Sequence, residues 1–317
     1  MSYTRIHKLF LATLVACQMR TGSAATMTDE SRAAAALFQE FETVVNSKAT
    51  LLSSVGTGIS KQDMGALQAP FAYLFSGLKA VDEHAASEIM SNAEAVLLGA
   101  RDFRSPEGIG AVESQFCYVV VFGGQRPFDA SKYFRSGSTT SQEQKGVWTW
   151  SARLSGEPLL TIPLYATQIE HSYLLLSTGL SELQSVAKWL DRSSTTPPVL
   201  EHIRQWDLIS QHPLWAYRRY EWSRPANRIA AGLVGIPRDS EALMLFLDPG
   251  SAACILRLVE VGEGQDTAGG ISLMRDLPSF NSLGAGIWQS MIPLAGDEQT
   301  LRRLLRIMQM FGFGLFL

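Results

Sequence analysis

Short strand-like segments dominate the chain from about residue 93 onward, and they constrain its fold more than any other feature. Each segment is rich in β-branched or aromatic residues and is bounded by Gly, Pro or Ser, a pattern typical of neighbouring antiparallel strands. These segments are 95–98, 116–122, 147–154, 159–169, 173–177, 214–222, 242–247, 253–261 and 287–293. The sequence therefore predicts an α+β fold of mainly antiparallel sheet with packed amphipathic helices.

Helices are predicted before, between and after these strands, because apolar residues recur there at three- and four-residue steps. The first begins at Asp29 and Glu30, whose charges suit a helix N-terminus. A helix near 181 is expected to open with the S-x-x-Q capping box that starts at Ser181. The predicted helical segments are 29–52, 62–90 with an interruption near Pro70, 181–190, a stretch from Pro197 and a stretch from Asp297.

The order of these elements suggests a domain organisation. Strands followed by a capped helix occur at 172–190 and again at 287–310, an order consistent with two similar lobes. Residue identity between the halves is poor, so one α+β domain with a helical N-terminal cap is the favoured interpretation. The polar interval from Gly123 to Gly146 is expected to be a surface loop. The predicted parts are a signal peptide (1–16), a tether (17–28), a helical N-terminal region (29–92) and two α+β lobes (93–196 and 197–317).

The composition and net charge of the chain bear on which kind of molecule it binds. Hydrophobic residues make up 46% of the chain and charged residues 18%, which is typical of a globular protein with a sizeable core. The formal net charge is −3, and it becomes −5 if Arg5 and Lys8 are lost with a signal peptide. This balance argues against nucleic acid as the main partner.

The N-terminus is typical of an export signal, because Arg5 and Lys8 precede the short apolar run 9–16. The following tetrad, Leu14-Val15-Ala16-Cys17, resembles the lipobox of bacterial lipoproteins. The resemblance covers only the first seventeen residues and implies that Cys17 becomes lipidated, so that a lipid alone attaches the protein to a bacterial membrane. The alternative is ordinary cleavage after Ala25, which would give a secreted or periplasmic protein.

Candidate catalytic and metal-binding groups are few. Ser185-Val186-Ala187-Lys188 matches the S-x-x-K pattern of penicillin-recognising serine enzymes, but its companion motifs do not occur in the chain. His84 and Glu88 share a helix face, where we expect a solvated charged surface. No catalytic residue, metal ligand or cofactor is therefore predicted. Cys117 and Cys254 lie in apolar runs and are expected to be buried free thiols, with a disulfide between them as the alternative.

The most suggestive group of residues is aromatic and basic. Aromatic rings stack on sugar rings, and guanidinium groups bind carboxylates or phosphates, so such a strip suits carbohydrate or an anionic envelope polymer. Alternation along an ordinary strand, with one side in the core and one at the rim, explains the same pattern. The candidate ligand-binding residues are Trp215, Tyr217, Arg218, Arg219, Tyr220 and Trp222.

These observations favour an exported, lipid-anchored protein that binds a ligand or organises the cell envelope without catalysis. One alternative is an envelope-acting hydrolase whose site is assembled from distant segments. Another is a subunit of an envelope protein complex. The apolar C-terminal segment 308–317 is expected to dock into the core, or else to contact a partner or a membrane.

Overall fold

The computed structural model describes most of the predicted elements. Cys17 and residues 18–26 of the predicted tether lie outside the described ranges. The described ranges are 27–48, 59–82, 84–101, 115–123, 128–136, 142–153, 161–191, 203, 206–220, 240–248, 253–260, 280–294 and 296–310.

Antiparallel strands form a single twelve-stranded sheet within the described residues, which confirms the predicted α+β class. The order across the sheet is β11-β12-β10-β9-β8-β1-β2-β3-β7-β6-β5-β4. The strands are β1 (Thr43–Lys48), β2 (Ala93–Ala100), β3 (Phe116–Phe122), β4 (Gln142–Gln144), β5 (Val147–Arg153), β6 (Thr161–Ile169), β7 (Tyr173–Ser177), β8 (Leu214–Arg219), β9 (Ser240–Leu247), β10 (Ala253–Glu260), β11 (Asn281–Gly284) and β12 (Ile287–Pro293).

Helices pack on both faces of this sheet and divide the core into two clusters. One face packs against α1 and α6, and we call it the α1 face. The other packs against α2, α3, α4 and α8, and we call it the α3 face. The described helices are α1 (Asp29–Glu40), α2 (Lys61–Gln68), a 3₁₀ turn (Ala69–Phe71), α3 (Ala72–Val81), α4 (Ala85–Asn92), α5 (Ser131–Ser136), α6 (Leu180–Leu190), α7 (Trp206–Ile209) and α8 (Glu298–Met310). None of them is long and apolar enough to cross a membrane.

Helix α1 is shorter than the predicted helix, because the chain becomes a strand three residues after Glu40. Thr28 caps its N-terminus by accepting a 3.1 Å hydrogen bond from the Ser31 N–H. The β-branched residues Thr43, Val44 and Val45 then favour strand β1, which pairs with β2 on one side and β8 on the other. The predicted helix over 29–52 is therefore wrong at 43–48, and 49–52 lie outside the described residues. The N-terminal region 29–92 is thus not purely helical.

The predicted loop at 123–146 is also wrong in part, because it contains helix α5 and strand β4. Aromatic residues inside this otherwise polar interval pack on the α3 face. The Phe128 ring centroid lies 4.6 Å from that of Phe122, and the Phe134 ring stacks 5.1 Å from Trp148. Burial of these rings gives the segment regular structure.

Two other sequence predictions fall partly outside the described residues. The helix expected from Pro197 is described only at residue 203 and in α7. In the apolar C-terminal segment, Met308 is buried in the core, while 311–317 lie outside the described part. The division into two lobes stays a prediction. Strands from both proposed lobes lie in the same sheet, on either side of β1.

Two glycines provide a matched test of this packing. A Cβ on Gly99 in β2 would lie 2.5 Å from a Phe41 ring carbon, whereas a Cβ on Gly65 in α2 would meet nothing within 4 Å. We expect Gly99→Ala to lower the free energy of unfolding by about 1–3 kcal/mol through overpacking. We expect Gly65→Ala to raise it by about 0.5–1 kcal/mol, because alanine favours a helix interior. Urea denaturation of both variants measures the difference, and equal effects would contradict the packing described for β2.

Candidate functional site

The predicted aromatic and basic strip lies on β8, a central strand of the sheet. Trp215 and Tyr217 belong to the α1-face cluster and are 0% and 3% exposed. Arg218 and Tyr220 are also buried, and Arg219 is half-buried. Trp222 lies outside the described residues. Because most of the described side chains of the strip are buried, ligand binding by the whole strip stays a prediction.

One end of this strand belongs to a polar group on the α1 face. Asn46 of β1 lies directly opposite Trp215, and Trp215 lies opposite Phe246 of β9. His212 precedes β8, and its ring centroid lies 4.3 Å from that of Phe246. Because directly opposite residues on antiparallel strands are near neighbours, these side chains come together on one side of the sheet. Together with Glu30 and Lys48 they form what we call the Asn46 site.

Helix α1 covers the Asn46 site with its first turn. The Asn46 Nδ2 donates a 2.8 Å hydrogen bond to Glu30 Oε1, and the Lys48 Nζ lies 3.9 Å from Glu30 Oε2. The side chains of Glu30 and Lys48 are 23% and 32% exposed, whereas Asn46 is fully buried. The site is therefore buried at its base and opens to solvent at a rim of opposite charges.

Three buried polar atoms at the base have no hydrogen-bond partner among the described residues. They are Asn46 Oδ1, Trp215 Nε1 and His212 Nε2. The Nδ1 of His212 lies 2.6 Å from the carbonyl oxygen of Leu247, which can only accept, so we assign the proton to Nδ1. Neutral His212 then presents Nε2 as an acceptor. An unpaired buried polar group costs about 1–3 kcal/mol, so each of these three atoms calls for an explanation.

Burial also shifts two titrating groups of the site. Burial raises the pKa of Glu30, against the opposing influence of Lys48, the Trp215 indole and Asn46. The Trp215 N–H is thus near this carboxylate without meeting hydrogen-bond geometry. Burial lowers the pKa of His212, although its bond to the Leu247 carbonyl opposes this shift. Both groups are held closer to their neutral forms than in water.

The His212 shift predicts a pH dependence of stability. The unfolded chain binds a proton near pH 6.5, whereas folded His212 binds one only at lower pH. Stability is therefore lost as the pH falls from about 6.5 toward the folded pKa. Glu30 acts in the opposite direction at acid pH, so the comparison must be with a variant at His212 alone. We expect His212→Gln to lose less unfolding free energy than the native chain between pH 7 and 5 in urea titrations. Parallel pH profiles would contradict the burial of a neutral imidazole.

A second polar cluster lies at the opposite end of α1. The Arg101 guanidinium donates to the Glu40 backbone carbonyl at 2.8 Å, and it lies 3.2 Å from Glu40 Oε2 and 3.5 Å from Glu182 Oε1. Ser185 donates its hydroxyl proton to Glu40 Oε1. The Arg101 cluster thus ties the end of α1 to β2 and to α6, and both carboxylates already have a cationic partner. This arrangement favours a structural role.

The S-x-x-K tetrad is part of this structural contact. Ser185 bonds Glu40 from the second turn of α6, while Lys188 is exposed. The predicted capping box is wrong, because α6 has Gly179 at its N-cap and Ser181 donates its hydroxyl to Glu182 Oε2 at 2.7 Å. A Cβ on Gly179 would meet the Glu182 carboxylate at 2.0 Å, so glycine suits this close approach.

The other residues singled out in the sequence lie either on an exposed charged surface or in the apolar core. Glu88 accepts from the Tyr133 hydroxyl and lies 3.4 Å from the Lys132 ammonium on an exposed surface, as expected for a solvated face. Cys117 and Cys254 are buried free thiols, as predicted, and belong to the core clusters on opposite faces of the sheet. Burial raises the pKa of Cys254 to about 12. Within the described ranges, no three His, Cys, Asp or Glu side chains are placed to hold a metal ion.

Sequence reasoning does not identify Glu30, Asn46 or Lys48 as site residues. Asn46 sits among β-branched residues of a strand that was predicted to be helix, and Glu30 was read as a helix-terminal charge. A buried asparagine in a central strand is a usable signal, but only once the strand is recognised.

Comparison with known proteins gives a likeness of shape alone. No family model matches the chain, and no curated protein matches it. Crystal form I of TP0453 aligns with a TM-score of 0.44 and 12% identity over 87% of this chain and 97% of that one. Crystal form III of TP0453 aligns with a TM-score of 0.44 and 11% identity over 85% and 94% of the two chains. Neither alignment informs the activity.

Proposed function

We propose that this chain is an exported, lipid-anchored envelope protein that binds a hydroxyl-rich envelope polymer at the Asn46 site without catalysing a reaction. The observation that carries the proposal is the set of polar atoms at the base of the site: two unpaired acceptors, Asn46 Oδ1 and His212 Nε2, and the Trp215 N–H, which interacts with the Glu30 carboxylate but has no partner in hydrogen-bond geometry. A hydroxyl group both donates and accepts, so hydroxyls of a sugar are the natural complement of this set.

The surroundings of the site support a carbohydrate over a simple anion. Aromatic rings of Phe38, Trp206 and Trp215 pack together beside it, with centroid distances of 5.3 to 6.4 Å. Trp206 is the partly exposed ring of this group, and its apolar surface suits the C–H face of a sugar. At the rim, Glu30 and Lys48 offer one acceptor group and one donor group, which together suit a polar ligand of low net charge.

The anchor rests on the N-terminal sequence. The Leu14-Val15-Ala16-Cys17 tetrad supports lipidation of Cys17, which would place the protein beside the envelope polymers that we propose as ligands. Intact-mass measurement of the protein from a bacterial host tests this part. A diacylglyceryl increment that is lost in Cys17→Ala is expected, and an unmodified chain beginning near Thr26 would contradict it.

Co-sedimentation with purified peptidoglycan sacculi tests the binding part. We expect the native protein to pellet with sacculi, and Asn46→Leu and Lys48→Ala to weaken binding by about tenfold, because each removes a polar contact. Ser47→Ala and Lys79→Ala are matched controls. Ser47 is the next residue of β1 and alternates to the other face, and Lys79 is exposed on α3. Equal weakening by the control variants, or no binding at all, would contradict the proposal.

The same co-sedimentation sample also tests the alternative that the protein is a hydrolase. A hydrolase would release soluble fragments from the sacculi over time, and mass spectrometry of the supernatant detects them. We expect binding with no release of fragments. Release by the native protein that is lost in Asn46→Leu would replace the proposal with a catalytic one.

A further inference from the structure

Strand β11 forms an open edge of the sheet. It pairs with β12 and has no second neighbour among the described strands. All four of its residues, Asn281 to Gly284, are exposed. An edge strand carries main-chain N–H and C=O groups along its outer side, and these groups can pair with another strand.

The side chains at this edge suit a protein contact. Leu283 is 54% exposed and Met291 of β12 is 50% exposed, the two highest values for large apolar residues in the described part of the chain. Natural edge strands are usually protected by lysine, proline or other charged residues. Asn281, Ser282, Leu283 and Gly284 include none of these. The protective devices in this strand are its short length of four residues and the irregular pairing between Ser282 and Gly284.

The hairpin holds this edge in a defined shape. The turn between β11 and β12 has positive φ at Ala285 (53°) and Gly286 (71°), which is the signature of the tight turns that match the strand twist. β12 in turn pairs with β10 over seven residues. The exposed edge is therefore backed by the sheet.

We propose that β11 is the site at which a second copy of this chain adds, through antiparallel pairing of β11 with its counterpart about a two-fold axis. The absence of charge in the strand favours this occupant. In a two-fold pairing each residue meets a residue of the same strand, and a charged strand would set like charges against each other. At the other edge of the sheet, β4 contains Glu143 at its centre, so a two-fold pairing centred on β4 would set two glutamates against each other. With Ser282 at the axis, Leu283 of one copy then lies opposite Asn281 of the other.

The proposal does not depend on the ligand of the Asn46 site. Sedimentation velocity of the mature chain with Cys17→Ala tests it across a range of concentrations. We expect a monomer–dimer equilibrium whose dissociation constant rises about tenfold or more in Leu283→Lys, because with Ser282 at the two-fold axis the two lysines would lie diagonally across that axis on the same face. Leu208→Lys is the matched control, since Leu208 is 37% exposed on α7, away from the hairpin.

A cysteine at the proposed axis gives a second, positive readout. Directly opposed residues of an antiparallel pair have Cα atoms about 4.5–5.5 Å apart, within the range that a disulfide spans. We expect Ser282→Cys to form a covalent dimer under mild oxidation, and Gln184→Cys on the exposed side of α6 to remain monomeric. The native thiols do not interfere, because Cys117 and Cys254 are buried.

Three results would overturn the proposal. One is a native chain that stays monomeric with a Ser282→Cys variant that does not cross-link. Another is a dimer that Leu283→Lys leaves unchanged. The third is equal cross-linking by Ser282→Cys and Gln184→Cys, which would reveal random collision. A dimer that persists through other surfaces counts against β11 as the contact.

Discussion

Replacing Phe38 by alanine is expected to lower the free energy of unfolding by about 3–5 kcal/mol, the usual cost of removing a buried phenylalanine. Phe38 is 5% exposed at the end of the buried run of α1. Its ring lies 5.4 Å from Tyr217 in an edge-on arrangement and 6.4 Å from both Trp206 and Trp215. The substitution removes three aromatic contacts at once and leaves a cavity beneath α1.

Chemical denaturation followed by tryptophan fluorescence measures this loss. Leu208→Ala is the control, because Leu208 is partly exposed on α7 and should contribute little. We also expect the native emission of Phe38→Ala to shift to longer wavelength, since Trp206 and Trp215 lose their cover. A loss of stability no larger than that of Leu208→Ala would contradict the packing of α1 on β8.

Replacing Arg101 by methionine is expected to lower the free energy of unfolding by about 1–3 kcal/mol. Methionine keeps much of the apolar stem but removes the guanidinium that bonds the Glu40 carbonyl and pairs with Glu40 and Glu182. The Glu182 side chain is only 9% exposed, so its charge would lose a cationic partner in a poorly solvated place. The expected loss of unfolding free energy is limited because the Arg101 side chain is 21% exposed, so solvent screens its ion pairs.

Arg302→Met is the matched control for Arg101→Met. Arg302 pairs with Glu298 at 2.5 Å on α8, but both side chains are more than two-thirds exposed. Exposed pairs of this kind contribute little, so we expect almost no change in the urea midpoint. Similar losses in the two variants would show that the Arg101 cluster is an ordinary surface pair.

The strands were predictable because their sequences are uniform and well bounded. β3, β7 and β12 match the predicted segments residue for residue, since each is a compact apolar or alternating run between turn residues. β1 was not predicted, because Val44 and Val45 continue the three- and four-residue spacing of Leu37, Phe38 and Phe41. Pairing with β2 and β8 decides in favour of a strand there, and a single sequence does not contain that information.

The candidate site was predictable only at Trp215, which the sequence places in the aromatic and basic strip. Glu30 and Asn46 join it through the register of β1 against β8 and the packing of α1 over both. Which polar atoms remain unpaired depends on every neighbour in the fold. The same limit applies to β11, whose Asn-Ser-Leu-Gly sequence reads as a turn until β12 pairs with it.

The most direct test of the proposed function is the indole N–H signal of Trp215 in the ¹⁵N-labelled protein, titrated with soluble peptidoglycan fragments. Comparison with Trp215→Phe assigns this signal among the seven tryptophans. Trp148 and Trp150 also have unpaired buried indole N–H groups, but they belong to the α3-face cluster and serve as internal controls. We expect the Trp215 signal to shift on titration, as its N–H gains a hydrogen bond, while those of Trp148 and Trp150 stay in place. A Trp215 signal that does not move while the fragments bind would contradict the account.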